Sequence, residues 1–494
     1  MAVCAGALAG PGYFGPGPAA AAVIDPVAPD PATPVVMVIL DELPTATLLD
    51  SRQMIDVRRF PNFARLARSS TWYRDNASAG DYTAWAVPPI LTGNRSNDAI
   101  LPTSDAQPNN IFNLLGPGRR VHVREEVTEL CPARICPVGN QGEAPGHVLS
   151  SEFIKAKFGP LDLPAVSRWI DSLPSGRRTL SVLHLPLPHQ PQRFLPGGQI
   201  YPGGPLGFTI PPINGWTISN PGITLVQQRH ILQTAYTDRI VGRILNKVKS
   251  NGDWDRSLVI VTADHGYSFD RRYDRRDVSP QTVAATVNPP LFVKYPGQNA
   301  GVVSPKSTQG VDLVPTIAET LGVTYMYETD GVPIREVPEA REMVVDKDNM
   351  KSLVINTGQI RGQRPALVAT SHRRLGDLGL WSLGPRKRLI GTRPGRKPRL
   401  GRARVKIDHL ERLQNYRPGT GQVPSLVSGV VTGVKANEMI ALAINGKVTG
   451  TTRTFAYNGA MRFGSMVPPA GLRRGSNRPT VYLVRHNGTL HRIR

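Results

Sequence analysis

The chain has 494 residues, with 59 Lys and Arg against 37 Asp and Glu, a formal net charge of +22. That length allows about three domains and at least one sizeable core, and the basic balance favours anionic partners. Among such partners nucleic acid ranks lowest. Only Trp381 lies near the most basic run, Gly384 to Lys406, whose ten Lys or Arg and no acid give little for bases to stack on. That run reads as a solvated loop or as a surface for phospholipid or an anionic wall polymer.

Taken in chain order, the start "MAVCAGALAGPGYFGPGPAAAAV" is apolar but lacks a basic n-region, and Gly and Pro break it early. It is too short and too interrupted to span a bilayer or to read as a clear signal; Cys4 offers only a lipobox-like cysteine. Residues 1–33 therefore read as an apolar, Pro-rich N-terminal segment and linker. "VVMVIL" (Val35–Leu40) is a continuous β-branched run, the pattern of a strand buried on both faces, and it stops at "DELP". A helix is expected after Pro61, since Pro suits the first turn. Cys131 and Cys136 sit five apart between prolines, spacing that suits a small disulfide ring better than a metal site. An oxidised pair points to an extracytosolic setting.

"LSVLHL" (Leu180–Leu185) reads as another buried strand, and Leu225 to Ser250 as the longest helix, closed by Asn251-Gly252. Asp238 on that helix reads as a surface charge. A strand follows over Ser257–Ala263, then a strand in "PLFVKYPG" and a short helix in "DLVPTIAETLG" closed by Gly322. Buried strands alternating with amphipathic helices predict an α/β domain with a mostly parallel sheet over residues 34–335. Residues 336–410 read as a basic linker region. Residues 411–494 read as a small antiparallel β domain, because period-two alternation crosses Asn445-Gly446 and Asn487-Gly488 turns.

Ligands of open α/β sheets bind beyond the carboxyl ends of the strands. Two strands here end in acids: the first delivers Asp41 and Glu42, and the later one Asp264 and His265. A carboxylate beside a carboxylate–imidazole pair can hold a divalent cation. Each acid taken alone reads equally well as a helix cap, and Glu42 as a ligand or a solvated strand-end charge. His184 lies on an apolar strand and reads as a core residue or a pocket-lining one. Arg271 and Arg272 could clamp an anionic substrate or pair with the neighbouring Asp residues.

"TAWAVPPILTG" puts the Thr83 hydroxyl ten residues before a glycine. With this stretch, the chain resembles the alkaline phosphatase/sulfatase superfamily, specifically its sulfatase-like hydrolases and transferases. The matching positions run in order over roughly residues 34–335: Asp41 at a strand end, Thr83 before the "TG" turn, His189 in "PHQP", and Asp264-His265-Gly266. The resemblance implies an alkaline-phosphatase-like three-layer sandwich. It implies one divalent metal, Mn²⁺ or Zn²⁺ best and Mg²⁺ or Ca²⁺ also compatible, held by Asp41, Thr83, Asp264 and His265. Thr83 would be the nucleophile, and His189 would contact the ester and donate to one of its oxygens. His184 and Arg271 are the further substrate-binding candidates.

Formylglycine-dependent sulfatases carry Cys or Ser at the nucleophile position, then Pro and Arg two and four residues on. "TAWAV" lacks that pattern. The resemblance therefore implies phosphate-ester chemistry, of the phosphoglycerol or phosphoethanolamine kind, on a substrate linked to lipid or wall polymer. The expected setting is extracytosolic, at the cell envelope and membrane-associated. The alternatives are a sulfuric ester hydrolase and a catalytically silent envelope-binding protein.

Overall fold

Six consecutive apolar residues in a strand need cover on both faces, and the fold supplies it. The computed structural model describes residues 28–125, 127–136, 149, 151–152, 161–203, 219–347, 351–376, 380–381 and 385–494. Most of the N-terminal segment, Cys4 included, lies outside the described residues. Seven strands form one sheet in the order β3-β4-β1-β5-β6-β2-β7. They are β1 (Val35–Asp41), β2 (Thr71–Tyr73), β3 (Arg120–Arg124), β4 (Thr179–Pro188), β5 (Leu258–Ala263), β6 (Leu291–Lys294) and β7 (Val302–Ser304). β3, β4, β1 and β5 run parallel, and only β6 opposes its neighbours.

Alternation along β1 divides the core. Val36, Val38 and Leu40 face α1 (Pro61–Ala67) and the long α3 (Asn220–Ser250), packing against Phe63, Val241 and Leu245. Val35, Met37 and Ile39 face α2 (Thr83–Thr92) and α4 (Leu313–Leu321), packing against Val87, Leu91 and Ile317. Each fully buried side chain of this size contributes about 1.5–3 kcal/mol relative to exposure. The result is the three-layer sandwich expected. Gly322 ends α4 at φ 65°, a left-handed cap that glycine adopts without a Cβ penalty.

Asp238 differs from expectation. It is buried, and its carboxylate accepts from the backbone N–H groups of Asn62 and Phe63, closing the N-terminus of α1. The periodicity of α3 could not reveal this, because the partner helix lies far away in sequence.

Much of the stretch read as a basic linker is ordered onto the first domain. β8 (Glu342–Asp346) and β9 (Ser352–Asn356) form a hairpin, and α5 (Thr357–Leu375) follows. Arg364 of α5 reaches the buried Asp75 at 2.8 Å, and Arg341 pairs with the buried Asp312. Met343, Val345, Ile355 and Ile360 pack into an apolar cluster with Ala77, Val278, Val283 and Val287, and Val368 and Leu375 join the main core, so apolar contacts and ion pairs together hold a segment that composition alone reads as solvated charge.

The remaining chain is a two-sheet β sandwich. One sheet has the order β10-β11-β15-β14 and the other β13-β12-β16-β17. Their ranges are β10 Arg404–Ile407, β11 Leu426–Thr432, β12 Met439–Ile444, β13 Lys447–Arg453, β14 Phe455–Tyr457, β15 Ala460–Met466, β16 Pro479–Val484 and β17 Leu490–Arg492. Asn445 and Gly446, both at positive φ, make the β12–β13 turn as expected. The sandwich thus begins inside the expected linker, at β10. Its Phe455 and Met466 share an apolar cluster with Leu232 and Tyr267 of the first domain.

Candidate functional site

The parallel register of β1 and β5 pairs Leu40 with Ala263, so the two strands end side by side and release Asp41 and Asp264 at one rim. The N–H of Asp264 still donates to Leu40 O at 2.9 Å. Its Oδ1 accepts from the N–H of His265 at 2.6 Å and of Glu42 at 3.2 Å. His265 Nδ1 lies 2.9 Å from Gly266 O, which makes it the protonated nitrogen and leaves Nε2 a lone pair. That Nε2 stands 3.5 Å from Asp264 Oδ2 and 3.9 Å from Asp41 Oδ1. Gly266 is required here, since a Cβ would meet Ala285 O at 2.1 Å.

Both Asp41 oxygens, Asp264 Oδ2 and His265 Nε2 are buried without a hydrogen-bond partner. Burial pushes the Asp41 carboxyl well up, and repulsion from Asp264 and Glu42 pushes it further. Orphaned acceptors converging at this density need a positive charge. Two carboxylates and one neutral imidazole, with donor atoms all within 4.8 Å of one another, fit a divalent cation.

Glu42 is not a solvated charge: it is fully buried, and its Oε2, like the Asp41 oxygens, has no hydrogen-bond partner. It stands at φ 57°, so the chain turns sharply between the two acids. Fully buried, Glu42 Oε1 accepts from Arg275 Nη1 and, at 2.7 Å, from Arg276 Nε. Burial alone would raise its pKa, but His189, Arg276 and Arg275 hold it well below the usual carboxylate range. The same group therefore anchors two guanidiniums beside the cation site. Arg276 Nη2 also reaches His189 Nε2 at 2.9 Å, and its guanidinium lies 4.5 Å over the ring of Tyr82. Burial lowers the His189 pKa to about 4, so the ring is neutral.

Thr83 opens α2 directly after Tyr82 and is buried. The Tyr82–Arg276 stack ties this first turn to the Glu42 anchor. Gly80 lets the chain pass under the indole of Trp85, where a Cβ would meet Trp85 atoms at 2.3–2.8 Å. Asp81 takes the Trp85 Nε1–H at 2.7 Å and fixes the turn. The double proline Pro88-Pro89 lies inside α2, which masks a helix from sequence reading.

Asp41, Asp264 and His265 come together as expected, and His189 joins the adjoining arginine anchor. His184 is buried on β4, its Nδ1 3.2 Å from Glu125 Oε1 and its Nε2 without a hydrogen-bond partner. Arg271 is exposed, and Arg272 pairs with Asp270 at 2.7 Å. The arginines at the site are the second pair of "RRYDRR", and nothing in that spacing distinguishes the two pairs. Sequence reading also missed His230, whose Nε2 lies 3.0 Å from Glu42 O within the apolar stripe of α3. The Cys131–Cys136 disulfide is present.

Residues 169–323 match the family model described as Sulfatase. A stretch of 96 residues is 32% identical to the multifunctional alkaline phosphatase superfamily protein PehA of Trinickia caryophylli, covering 19% of this chain and 18% of that protein. Another of 109 residues is 27% identical to the N-acetylglucosamine-6-O-sulfatase of Bacteroides thetaiotaomicron, covering 21% and 18%. The chain thus spans less than a fifth of the length of these curated relatives. Among solved structures, the phosphonate monoester hydrolase of Silicibacter pomeroyi aligns with a TM-score of 0.48 at 17% identity, covering 64% of this chain and 80% of that one.

Proposed function

We propose that this chain, whose residues 169–323 match the family model described as Sulfatase, is a metal-dependent hydrolase or transferase of anionic esters acting through Thr83. The observation that carries the reading is the set of unpartnered oxygens and nitrogen on Asp41, Asp264 and His265. A decayed site would be expected to lose at least one of these groups, and the presence of all of them argues against the silent alternative.

Asp41, Asp264 and His265, with Thr83, are the residues that would hold the cation. Bound there, it would supply Lewis-acid polarisation of the ester and favour the ionised hydroxyl. Thr83 Oγ forms the new bond to phosphorus, the ester P–O bond breaks, and the leaving alcohol departs with the electron pair. Water, or an acceptor alcohol, then releases the group from Thr83. Because His189 Nε2 accepts from Arg276, the donor aimed along this rim is the guanidinium rather than the imidazole. Arg276 holds a non-bridging oxygen, and Glu42 and His189 hold Arg276.

Phosphorus is favoured by the threonine and by the lack of a Cys/Ser-x-Pro-x-Arg pattern after it. A second reading, sulfuric ester hydrolysis, has direct support in the family match and in the names of the relatives, which lean toward sulfate. A substrate linked to lipid or wall polymer, and work at the cell envelope, belong to the phosphate reading. Among the described residues no helix is long and apolar enough to cross a membrane.

The deciding experiment compares turnover of p-nitrophenyl phosphate, a phenylphosphonate monoester and p-nitrophenyl sulfate, with intact-protein mass spectrometry after quenching. The phosphate reading expects an adduct on Thr83 that Thr83→Ala abolishes. Turnover of the sulfate ester alone would establish the second reading. Activity unaffected by Thr83→Ala would remove the nucleophile assignment.

A further inference from the structure

A cavity of about 510 Å³ lies within the C-terminal sandwich, apart from the acid–imidazole cluster. Four arginines line it: Arg399, Arg478, Arg492 and Arg494. They are exposed, and among the described residues no carboxylate lies within ion-pair distance of any of them. Some arginines elsewhere are paired, as at Glu42, Asp75, Asp312 and Asp408; what sets these four apart is that they line one concavity whose lining holds no Asp or Glu. Four arginines thus line one concavity that offers no side-chain carboxylate, an arrangement that favours an anionic occupant.

The scaffold around them is rigid. β10 pairs along β11, Arg399 bridges Arg492 through the backbone, and Val405 N–H reaches Arg494 O at 2.6 Å. Asn477 lines the cavity with its side chain fully engaged, donating to the carbonyls of Leu413 and Arg473 and accepting from Arg473 N–H. Buried Ile493 and Val481 belong to the sandwich core beneath. Gln414 and Thr480 add uncharged hydrogen-bonding groups at the wall.

We propose that this cavity binds an anionic polysaccharide, reading its sulfate or phosphate esters through Arg399, Arg478 and Arg492. A planar guanidinium matches tetrahedral oxyanions by paired N–H donors, and the neutral wall groups suit sugar hydroxyls. The lining contains no aromatic residue. Single-stranded nucleic acid therefore finds no stacking platform, and a concave site suits a chain segment better than a flat bilayer surface. Carried on the same chain as the ester site, such an anchor would raise the local concentration of a polymeric substrate.

The test uses the full chain and measures affinity for heparin and for a phosphomannan, with uncharged dextran and a thymidine oligomer as comparisons. Arg399→Gln, Arg478→Gln and Arg492→Gln together are expected to weaken polysaccharide binding about tenfold, each charge contact being worth a few-fold. Removing equal charge at the exposed Arg388, Arg393 and Arg396, outside the cavity, is expected to change it less than about twofold. An unchanged affinity in the first variant, or equal losses in both, overturns the proposal. Tighter binding of the oligomer than of either polysaccharide, lost in the same triple variant, also overturns it. If the triple variant fails to fold, the three single variants decide by the same comparison. Heparin and phosphomannan separate sulfate from phosphate as the ester read. Because binding is read without turnover, failure here leaves the ester-hydrolase reading untouched.

Discussion

Arg276 Nη2 lies 2.9 Å from His189 Nε2, and the imidazole is the acceptor, because its Nδ1 faces the carbonyl of Gln190. The histidine expected to donate to the ester thus orients a guanidinium instead. Arg276→Lys keeps the charge but loses both the fork and the stack on Tyr82. It is expected to lower kcat/KM roughly 100-fold, in the range of losing one oxyanion donor. His189→Gln, which retains an acceptor, is expected to cost less. Equal losses in the two would return the donor role to the histidine.

Glu42, itself fully buried, pairs with two partly buried guanidiniums. Replacing it with Gln leaves those charges uncompensated, and the expected loss of stability is about 3–5 kcal/mol. Denaturant unfolding measures this directly. A change below about 1 kcal/mol would mean that solvent already screens the arginines.

His230 gives a pH dependence. Burial holds its pKa down to about 4, against an ordinary value of 6.5. A depressed histidine favours the fold fully above pH 6.5 and loses that contribution as the pH falls toward 4, where the unfolded chain binds a proton and the folded one does not. The full difference is about 3 kcal/mol. His230→Gln, which preserves a donor toward Glu42 O, is expected to flatten stability between pH 6.5 and 4.

Removing a cation donor tests the acid–imidazole cluster without reading turnover. Asp264→Asn and His265→Ala are expected to lower metal affinity by more than the roughly 10–100-fold that outer-shell changes cost. Elemental analysis of the purified variants against the parent reports it. Stoichiometric metal retained in both would move the binding site elsewhere.

Cys131 and Cys136 close a small ring beside the core, with a sequence separation of 5. Loop-closure entropy for so short a ring is worth about 2 kcal/mol. Reduction is expected to lower Tm by a few degrees and no more. A much larger drop would show that the ring also fixes the loop leading to the Glu125–His184 pair.

The strands β1, β4, β5 and β6, the helices α1, α3 and α4, and the acid–imidazole cluster were legible because each rests on local pattern, whereas the short strands β2, β3 and β7 were not read. The apolar run of β1 and the Asp-His pair after β5 both declare themselves within a few residues. What stayed hidden depends on partners distant in sequence. Asp238 caps a helix some 175 positions away, Glu42 meets arginines 233 and 234 positions on, and α5 adds ion pairs to Asp75 to only a few widely spaced apolar anchors, Ile360, Val368 and Leu375. The helix carrying Thr83 was obscured for a different reason, because Pro88 and Pro89 break the usual grammar inside a segment whose burial pays for them.

The apolar cluster that joins Tyr267 to Phe455 and Met466 ties the loop after His265 to the sandwich. The C-terminal sandwich is therefore a buttress and not a detachable appendage. Dissecting the chain at the apparent boundary would strip one wall from that loop and loosen the ground on which Arg275 and Arg276 stand, so the two domains are best expressed and engineered together.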